Sequence, residues 1–138
     1  MIIDNLIYYA NRLRELIAYT VMPNHVHLLI KVENVATLSA FLRDFKKRTS
    51  KEIKSALACN SPHIWQRGTM DHCIRVLPGN EDYVNHLNYV YYNCVKHLGI
   101  IPKEFPFHNF VEAVKKGWIE EDFGSSPPIF PKKFDIYE

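Results

Sequence analysis

Residues 16–32 have the sequence LIAYTVMPNHVHLLIKV, and this stretch decides the fold. Apolar and β-branched residues on both sides of Pro23 and Asn24 favour two strands, and a Pro-Asn pair is a turn signal. We therefore predict an antiparallel hairpin. Because side chains two positions apart on a strand point to the same face, His25 and His27 are expected to lie side by side near a sheet edge. An arbitrary His-x-His pair is more often two polar residues on a solvated face, and the alternative is two ligands of a divalent metal.

Helical patterns surround the hairpin. The predicted elements in chain order are a helix over 2–17, the hairpin, a helix over 36–58, a strand-like segment over 64–77, a helix over 81–98, a short helix near 108–117 and an extended tail over 125–131. Gly99 and Pro102 end the helix over 81–98. This order predicts an α+β fold in which helices cover an antiparallel sheet.

The composition is that of one globular domain. The 138 residues are 47% hydrophobic and 23% charged, which argues against a disordered or collagen-like chain. Three cysteines, an odd number without metal-binding spacing, indicate free thiols in a reducing compartment. Neither a signal peptide nor a run of about 20 apolar residues is present, so we expect a cytoplasmic protein with no membrane partner.

Basic residues are concentrated in the helix over 36–58. The net charge is only +2, yet the first hundred residues hold 12 basic and 8 acidic side chains. Six basic residues lie close together, namely Arg43, Lys46, Lys47, Arg48, Lys51 and Lys54. A solvated helix face is the commoner explanation, and a phosphate-binding face is the alternative. The nearby Trp65 is either a core residue or an aromatic that stacks on an unpaired base.

Tyr89 stands out on the helix over 81–98. Steps of about 100° place Val84, Leu87, Tyr91, Val95 and Leu98 on a core-facing stripe, and Tyr89 and Asn93 on the opposite, polar face. A tyrosine and an asparagine on the polar face of a helix are most often simply exposed to solvent. The functional alternative is a tyrosine nucleophile whose phosphoryl target is polarised by a metal, with the Asn93 oxygen as a ligand. His72 is a candidate third ligand, base contact or capped loop residue.

Residues 18–29 (AYTVMPNHVHLL) closely resemble the HUH motif of single-tyrosine transposases, above all the REP-associated tyrosine transposases with an IS200-like domain. Further blocks agree with that family in order and spacing, and the resemblance covers about residues 16–100. These blocks are Phe45-Lys46-Lys47 with Ser50, Ile64-Trp65-Gln66-Arg67-Gly68, Asp71-His72 with Ile74-Arg75, and the run from Tyr89 to His97.

The resemblance implies a ferredoxin-like antiparallel sheet and an enzyme, a DNA transposase or nickase. His25, His27 and Asn93 would bind Mg²⁺ or Mn²⁺, and Tyr89 would attack single-stranded DNA, leaving a 5′-phosphotyrosine. The substrates would be hairpins at the ends of repeated elements. The implied DNA-binding residues are Arg43, Lys46, Lys47, Arg48, Lys51, Arg67, Arg75 and Lys96. Residues 1–102 would form the domain and 103–138 a C-terminal extension, in a monomer or homodimer associated with the nucleoid when DNA-bound.

Two departures from the family pattern leave an alternative open. Family members usually carry an N-terminal strand before the first helix, and we expect the sheet here to lack it. Cys94 also stands where the family often has proline. The alternative is therefore a truncated, inactive hairpin-binding module of the same fold. A nucleotide hydrolase of the histidine-triad type is disfavoured, because that class needs a further histidine on the strand and residue 29 is Leu.

Overall fold

The computed structural model describes residues 1–58, 60–61, 63–66, 68–69, 73–74 and 81–126. The elements are α1 (Ile2–Tyr9), β1 (Glu15–Val21), β2 (Val26–Lys31), α2 (Val35–Leu57), α3 (Glu81–Leu98) and α4 (Phe110–Lys115), with 3₁₀ turns at Ala10–Arg12 and Pro102–Glu104. β1 and β2 pair with each other, so the predicted hairpin and the α+β class are confirmed. None of the helices in these residues is long and apolar enough to cross a membrane.

The helix predicted over 2–17 is wrong in its second half. α1 ends at Tyr9, and a 3₁₀ turn follows it. Leu13 is already extended, with φ −89° and ψ 159°, and the Arg14 amide donates to the Lys31 carbonyl at 2.9 Å. Pairing with the end of β2 satisfies these backbone groups, and this outweighs the helical spacing of the apolar residues.

The strand-like segment predicted over 64–77 is not a strand where the structure describes it. Residues 64–66, 68–69, 73 and 74 belong to no strand, and residues 67, 70–72 and 75–77 lie outside the described residues. Residues 127–131 of the predicted extended tail also lie outside the described residues. The described part of the sheet therefore has two strands, and its ferredoxin-like completion stays a prediction.

The chain divides into two compact units. The first consists of Met1–Ile17 and Ile30–Thr69, and the helix predicted over 36–58 is confirmed there as α2. The Asn34 side chain caps α2 by accepting from the Thr37 amide at 2.8 Å. α1 packs against α2, and the buried apolar side chains of this unit include Leu6, Phe41 and Phe45.

The second unit consists of Ala18–Leu29 and Met70–Glu138, and it contains α3 and α4. Met22, Cys94 and Phe105 form a buried cluster in this unit. Buried Asn109 ties β1 to α3, because its Oδ1 accepts from the Tyr19 amide at 3.0 Å and from the Tyr91 hydroxyl at 2.8 Å. These contacts fix the register of α3 against the hairpin within the unit.

The segment before α4 lies along β1. The Val21 amide donates to the Phe107 carbonyl at 2.8 Å, and Thr20 forms an isolated antiparallel bridge with His108. α4 itself confirms the short helix predicted near 108–117. The predicted cap at the end of α3 is also present, since Gly99 has φ +67° and its amide donates to the Val95 carbonyl at 3.0 Å. The boundary predicted at residue 102 stays a prediction.

Candidate active site

The two histidines of the hairpin lie next to each other. His25 immediately precedes β2 and His27 is its second residue. Their ring centroids are 4.9 Å apart, and the rings are nearly perpendicular. The turn between the strands holds them there, because the Met22 amide donates to the His25 carbonyl at 2.8 Å.

Asn24 fixes the tautomer of His25. The Asn24 Oδ1 lies 2.6 Å from the His25 Nδ1. A side-chain carbonyl oxygen can only accept, so Nδ1 carries the proton and Nε2 presents a bare lone pair. An oriented imidazole of this kind is typical of a metal ligand whose other nitrogen is held by a hydrogen bond.

α3 brings Tyr89 and Asn93 to the same place. The Tyr89 ring lies 5.7 Å from the His27 ring, measured between centroids. The Asn93 Nδ2 donates to the Tyr89 carbonyl at 2.7 Å, which aligns the amide along the helix. The structure thus gathers the four predicted metal-binding and catalytic residues within the second unit.

Tyr89 and Asn93 are buried, so of the two alternatives for this polar face the solvated one does not apply to them. Tyr89 is 3% and Asn93 is 1% exposed, whereas Val84 and Leu98 of the predicted core stripe are 49% and 41% exposed. A helical projection gives each residue an angle around the axis and does not show what covers it. Here His27 of the hairpin lies against Tyr89 on the polar side of α3.

Three acceptor atoms at this site are buried without a hydrogen-bond partner among the described residues. They are the Nε2 of His25, the Nε2 of His27 and the Oδ1 of Asn93. Such atoms are costly to leave unpaired, and nitrogen and oxygen lone pairs of this kind suit a divalent cation. Two imidazoles and an amide oxygen form a mixed donor set that fits a divalent cation, and its identity as Mg²⁺ or Mn²⁺ stays a prediction. No group of three His, Cys, Asp or Glu side chains in the described ranges is arranged to hold a metal.

Burial favours the neutral form of both imidazoles. Together with the smaller effects of the neighbouring His25 and His97, it lowers the pKa of His27 from 6.5 to about 3. Burial also lowers the pKa of His25, and the nearby Asn93 side chain opposes part of this shift. The Nε2 of His25 and the Oδ1 of Asn93 nevertheless have no hydrogen-bond partner among the described residues. Neutral rings can bind a cation without first losing a proton.

The helical projection of the sequence puts His97 on the same side of α3 as Tyr89 and Asn93, four residues after Asn93, but assigns it no role. In the structure its ring centroid lies 5.1 Å from that of His25. The structure thus adds a third imidazole beside the metal-binding candidates.

Lys96 lies over the candidate nucleophile. Its Nζ is 5.7 Å from the centroid of the Tyr89 ring, within the range of a cation–π contact. Lys96 is exposed at its end of the helix, so its charge is accessible to an anion. This predicted DNA-binding residue is therefore next to the predicted nucleophile.

The remaining predicted DNA-binding residues differ in their surroundings. Arg43 pairs with Asp44 at 3.0 Å, and Arg48 pairs with Glu52 at 2.7 Å. The Lys46 ammonium donates to the backbone carbonyls of Gln66 and Gly68. Lys47 and Lys51 are exposed on α2. Arg67, Arg75 and His72 lie outside the described residues.

Known proteins that are similar to this chain belong to the family that its histidine motif resembles. A family model described as "Transposase IS200 like" matches residues 8–73, which include both histidines and end before α3. A Haemophilus influenzae protein named as a REP-associated tyrosine transposase is 34% identical over 125 residues, covering 83% of this chain and 69% of the relative. The REP-associated tyrosine transposase of Escherichia coli K12 is 35% identical over 119 residues, covering 84% and 66%. The chain spans about two thirds of the length of these curated relatives.

A solved structure is also similar. It is described as the REP-associated tyrosine transposase bound to a REP hairpin, and it superposes with a TM-score of 0.71 at 26% sequence identity. The match covers 94% of this chain and 74% of that chain. The similarity therefore extends over nearly the whole sequence, including α3.

Proposed function

This chain belongs to the REP-associated tyrosine transposases, and we propose that it cleaves and rejoins single-stranded DNA at hairpin-bearing repeat ends. The nucleophile is Tyr89, and the metal ligands are His25, His27 and Asn93. The enzyme acts in the cytoplasm and is associated with the nucleoid while it is bound to DNA. The relative solved with a REP hairpin supports a hairpin substrate.

One observation carries the proposal: three unpaired acceptor atoms converge beside a tyrosine. His25 Nε2, His27 Nε2 and Asn93 Oδ1 are buried and without hydrogen bonds in the described part of the chain, and Tyr89 is in contact with His27. Residues 24–27 and α3 hold these groups in place. When bound there, Mg²⁺ or Mn²⁺ would supply electrophilic polarisation of the scissile phosphate.

The chain's own residues perform the remaining tasks. The Tyr89 hydroxyl oxygen attacks the phosphorus in line, a new P–O bond to Tyr89 forms, and the bond from phosphorus to the 3′ oxygen breaks. The phenol loses one proton and the departing 3′ oxygen gains one, so the products are a 5′-phosphotyrosine and a free 3′-hydroxyl. Attack by another 3′-hydroxyl reverses the step and rejoins the strands.

Basic residues hold the DNA backbone in this proposal. Lys96 places a cation over Tyr89, where it attracts the phosphate that Tyr89 attacks. Lys47 and Lys51 are exposed on α2 and can contact phosphates directly. Arg43 and Arg48 are engaged with Asp44 and Glu52, so DNA must compete with these surface ion pairs, which are weak.

The burial of Tyr89 favours a second candidate, a module that binds hairpins without cleaving them. A nucleophile that is 3% exposed has to become accessible before it reaches a phosphate. If the surrounding packing prevents this, the same fold still binds DNA. The two candidates differ in one product, a covalent protein–DNA adduct.

Covalent capture distinguishes the candidates. The protein is incubated with labelled hairpin DNA carrying single-stranded flanks and Mn²⁺, and adducts are detected after denaturation. We expect an adduct with the wild type, none with Tyr89→Phe, and one with the matched control Tyr92→Phe, whose ring packs against Phe123. Hairpin binding without an adduct supports the binding module, and a folded protein that neither binds nor reacts overturns the proposal.

A further inference from the structure

The described residues of the 63–69 segment, 63–66 and 68–69, are fastened to α2 by a lysine for which the family resemblance implied a role in DNA binding. The Lys46 Nζ donates to the Gly68 carbonyl at 3.0 Å and to the Gln66 carbonyl at 3.5 Å. Lys46 is half-buried, whereas the next residue, Lys47, is exposed. The Lys46 ammonium therefore holds the backbone of this segment.

Trp65 fastens the same segment at a second point. Its indole Nε1 donates to the Oγ1 of Thr49 at 2.8 Å, and that hydroxyl donates in turn to the Phe45 carbonyl at 2.7 Å. Thr49 is 0% exposed, so this chain of hydrogen bonds is shielded from water. The Trp65 ring also lies 5.7 Å from the Phe45 ring, which adds an apolar contact.

This segment presents the side-chain amide of Gln66 to solvent. Gln66 is exposed, and its side chain forms no hydrogen bond within the described part of the chain. Its backbone carbonyl is held by Lys46, and the residue before it is anchored to Thr49. A glutamine amide has a donor and an acceptor that match the N6 and N7 of adenine, and such a pair distinguishes bases only if its backbone is held in place.

We propose that Gln66 is a specificity-determining residue that reads an adenine of the DNA, and that Lys46 and Trp65 are positioning residues that hold it. The inference rests on the proposed hairpin-binding function and adds base recognition to it. The two neighbouring lysines of α2 then have different roles. Lys47 contributes charge to phosphate binding, whereas Lys46 contributes the geometry of the 63–69 segment.

Selection from a pool of hairpin DNAs with randomised stem and flank positions tests the proposal. The full-length protein binds the pool in EDTA, which prevents cleavage, and the bound DNA is sequenced. We expect the wild type to enrich adenine at one position. Gln66→Ala should lose this preference by about tenfold to a hundredfold, the range for one bidentate contact, while the salt dependence of binding stays unchanged.

The two neighbouring lysines provide a matched pair of variants. Lys46→Met should weaken the same adenine preference, and Lys46→Arg, which keeps donors near the carbonyls, should restore part of it. Lys47→Met should keep the preference, weaken binding to all sequences alike, and lower the slope of log K against log salt by about one. Melting curves for each variant show that it is folded.

The outcomes separate this inference from the proposed function. If Gln66→Ala enriches the same sequences as the wild type, or if Lys46→Met behaves like Lys47→Met, the inference is overturned and hairpin binding stands. If the wild type binds no hairpin in the pool, hairpin binding and base recognition are both overturned.

Discussion

Acidification of the metal-free protein tests how firmly His27 is held in its buried site. The pKa of His27 is lowered from 6.5 to about 3 by burial, so the folded chain keeps this ring neutral well below pH 6. The unfolded chain takes up a proton on this ring as the pH falls below about 6.5. Stability is therefore fully present above pH 6.5 and is lost as the pH falls towards 3.

The size of the loss follows from proton linkage. Between pH 7.5 and pH 5.0, a shift of this extent removes about 2 kcal/mol of unfolding free energy through His27 alone. The pKa of His25 is lowered by burial as well, so its contribution has the same sign. Two kilocalories are a large fraction of the 5–15 kcal/mol that typically stabilise a domain.

Urea unfolding in EDTA, followed by circular dichroism at pH 7.5, 6.5 and 5.0, measures this loss. His27→Gln should flatten the pH dependence by about 2 kcal/mol over the range, because glutamine does not titrate. His63→Gln is the matched control, since His63 is exposed, and it should leave the wild-type dependence intact. A His27→Gln curve parallel to that of the wild type would refute the assignment of His27 to a water-excluded site.

Two further substitutions test local features of the second unit. Gly124→Ala should lower the free energy of unfolding more than Gly117→Ala does. Both glycines have positive φ, but only a Cβ at position 124 meets the Pro102 ring, at 2.7 Å, and such overpacking typically costs about 1–3 kcal/mol. Equal losses in thermal melts would contradict that contact. Asn24→Ala should weaken Mn²⁺ binding in a DNA-free titration by about tenfold to a hundredfold, because the His25 Nδ1 loses its acceptor. Unchanged affinity would show that Asn24 does not orient the ring.

The hairpin and its histidine pair could be predicted because their signals are local. Pro23 and Asn24 interrupt an apolar run, and a period of two places His25 and His27 on one face. α2 and α3 were predictable for the same reason, since their periodicity is continuous and Gly99 marks the end of α3. The pairing of Tyr89 with Asn93 followed from the helical repeat alone.

The errors arose where tertiary contacts override a local pattern. Leu13 continues the helical spacing of the preceding residues, but the chain there pairs with the end of β2. Tyr89 has the angular position of a solvated residue and is nevertheless buried, because His27 lies against it. Lys46 belongs by sequence to a basic face, and only the structure shows that backbone carbonyls engage its ammonium.

The path of residues 107–109 along β1 has a consequence for any shortened form of this chain. These residues engage the backbone of Tyr19 and Val21 and bridge to Thr20, so they shield the outer edge of β1 over 19–21. Bare strand edges invite pairing with other chains, which leads to aggregation. We therefore expect a chain cut at residue 102 to be less soluble than the full chain.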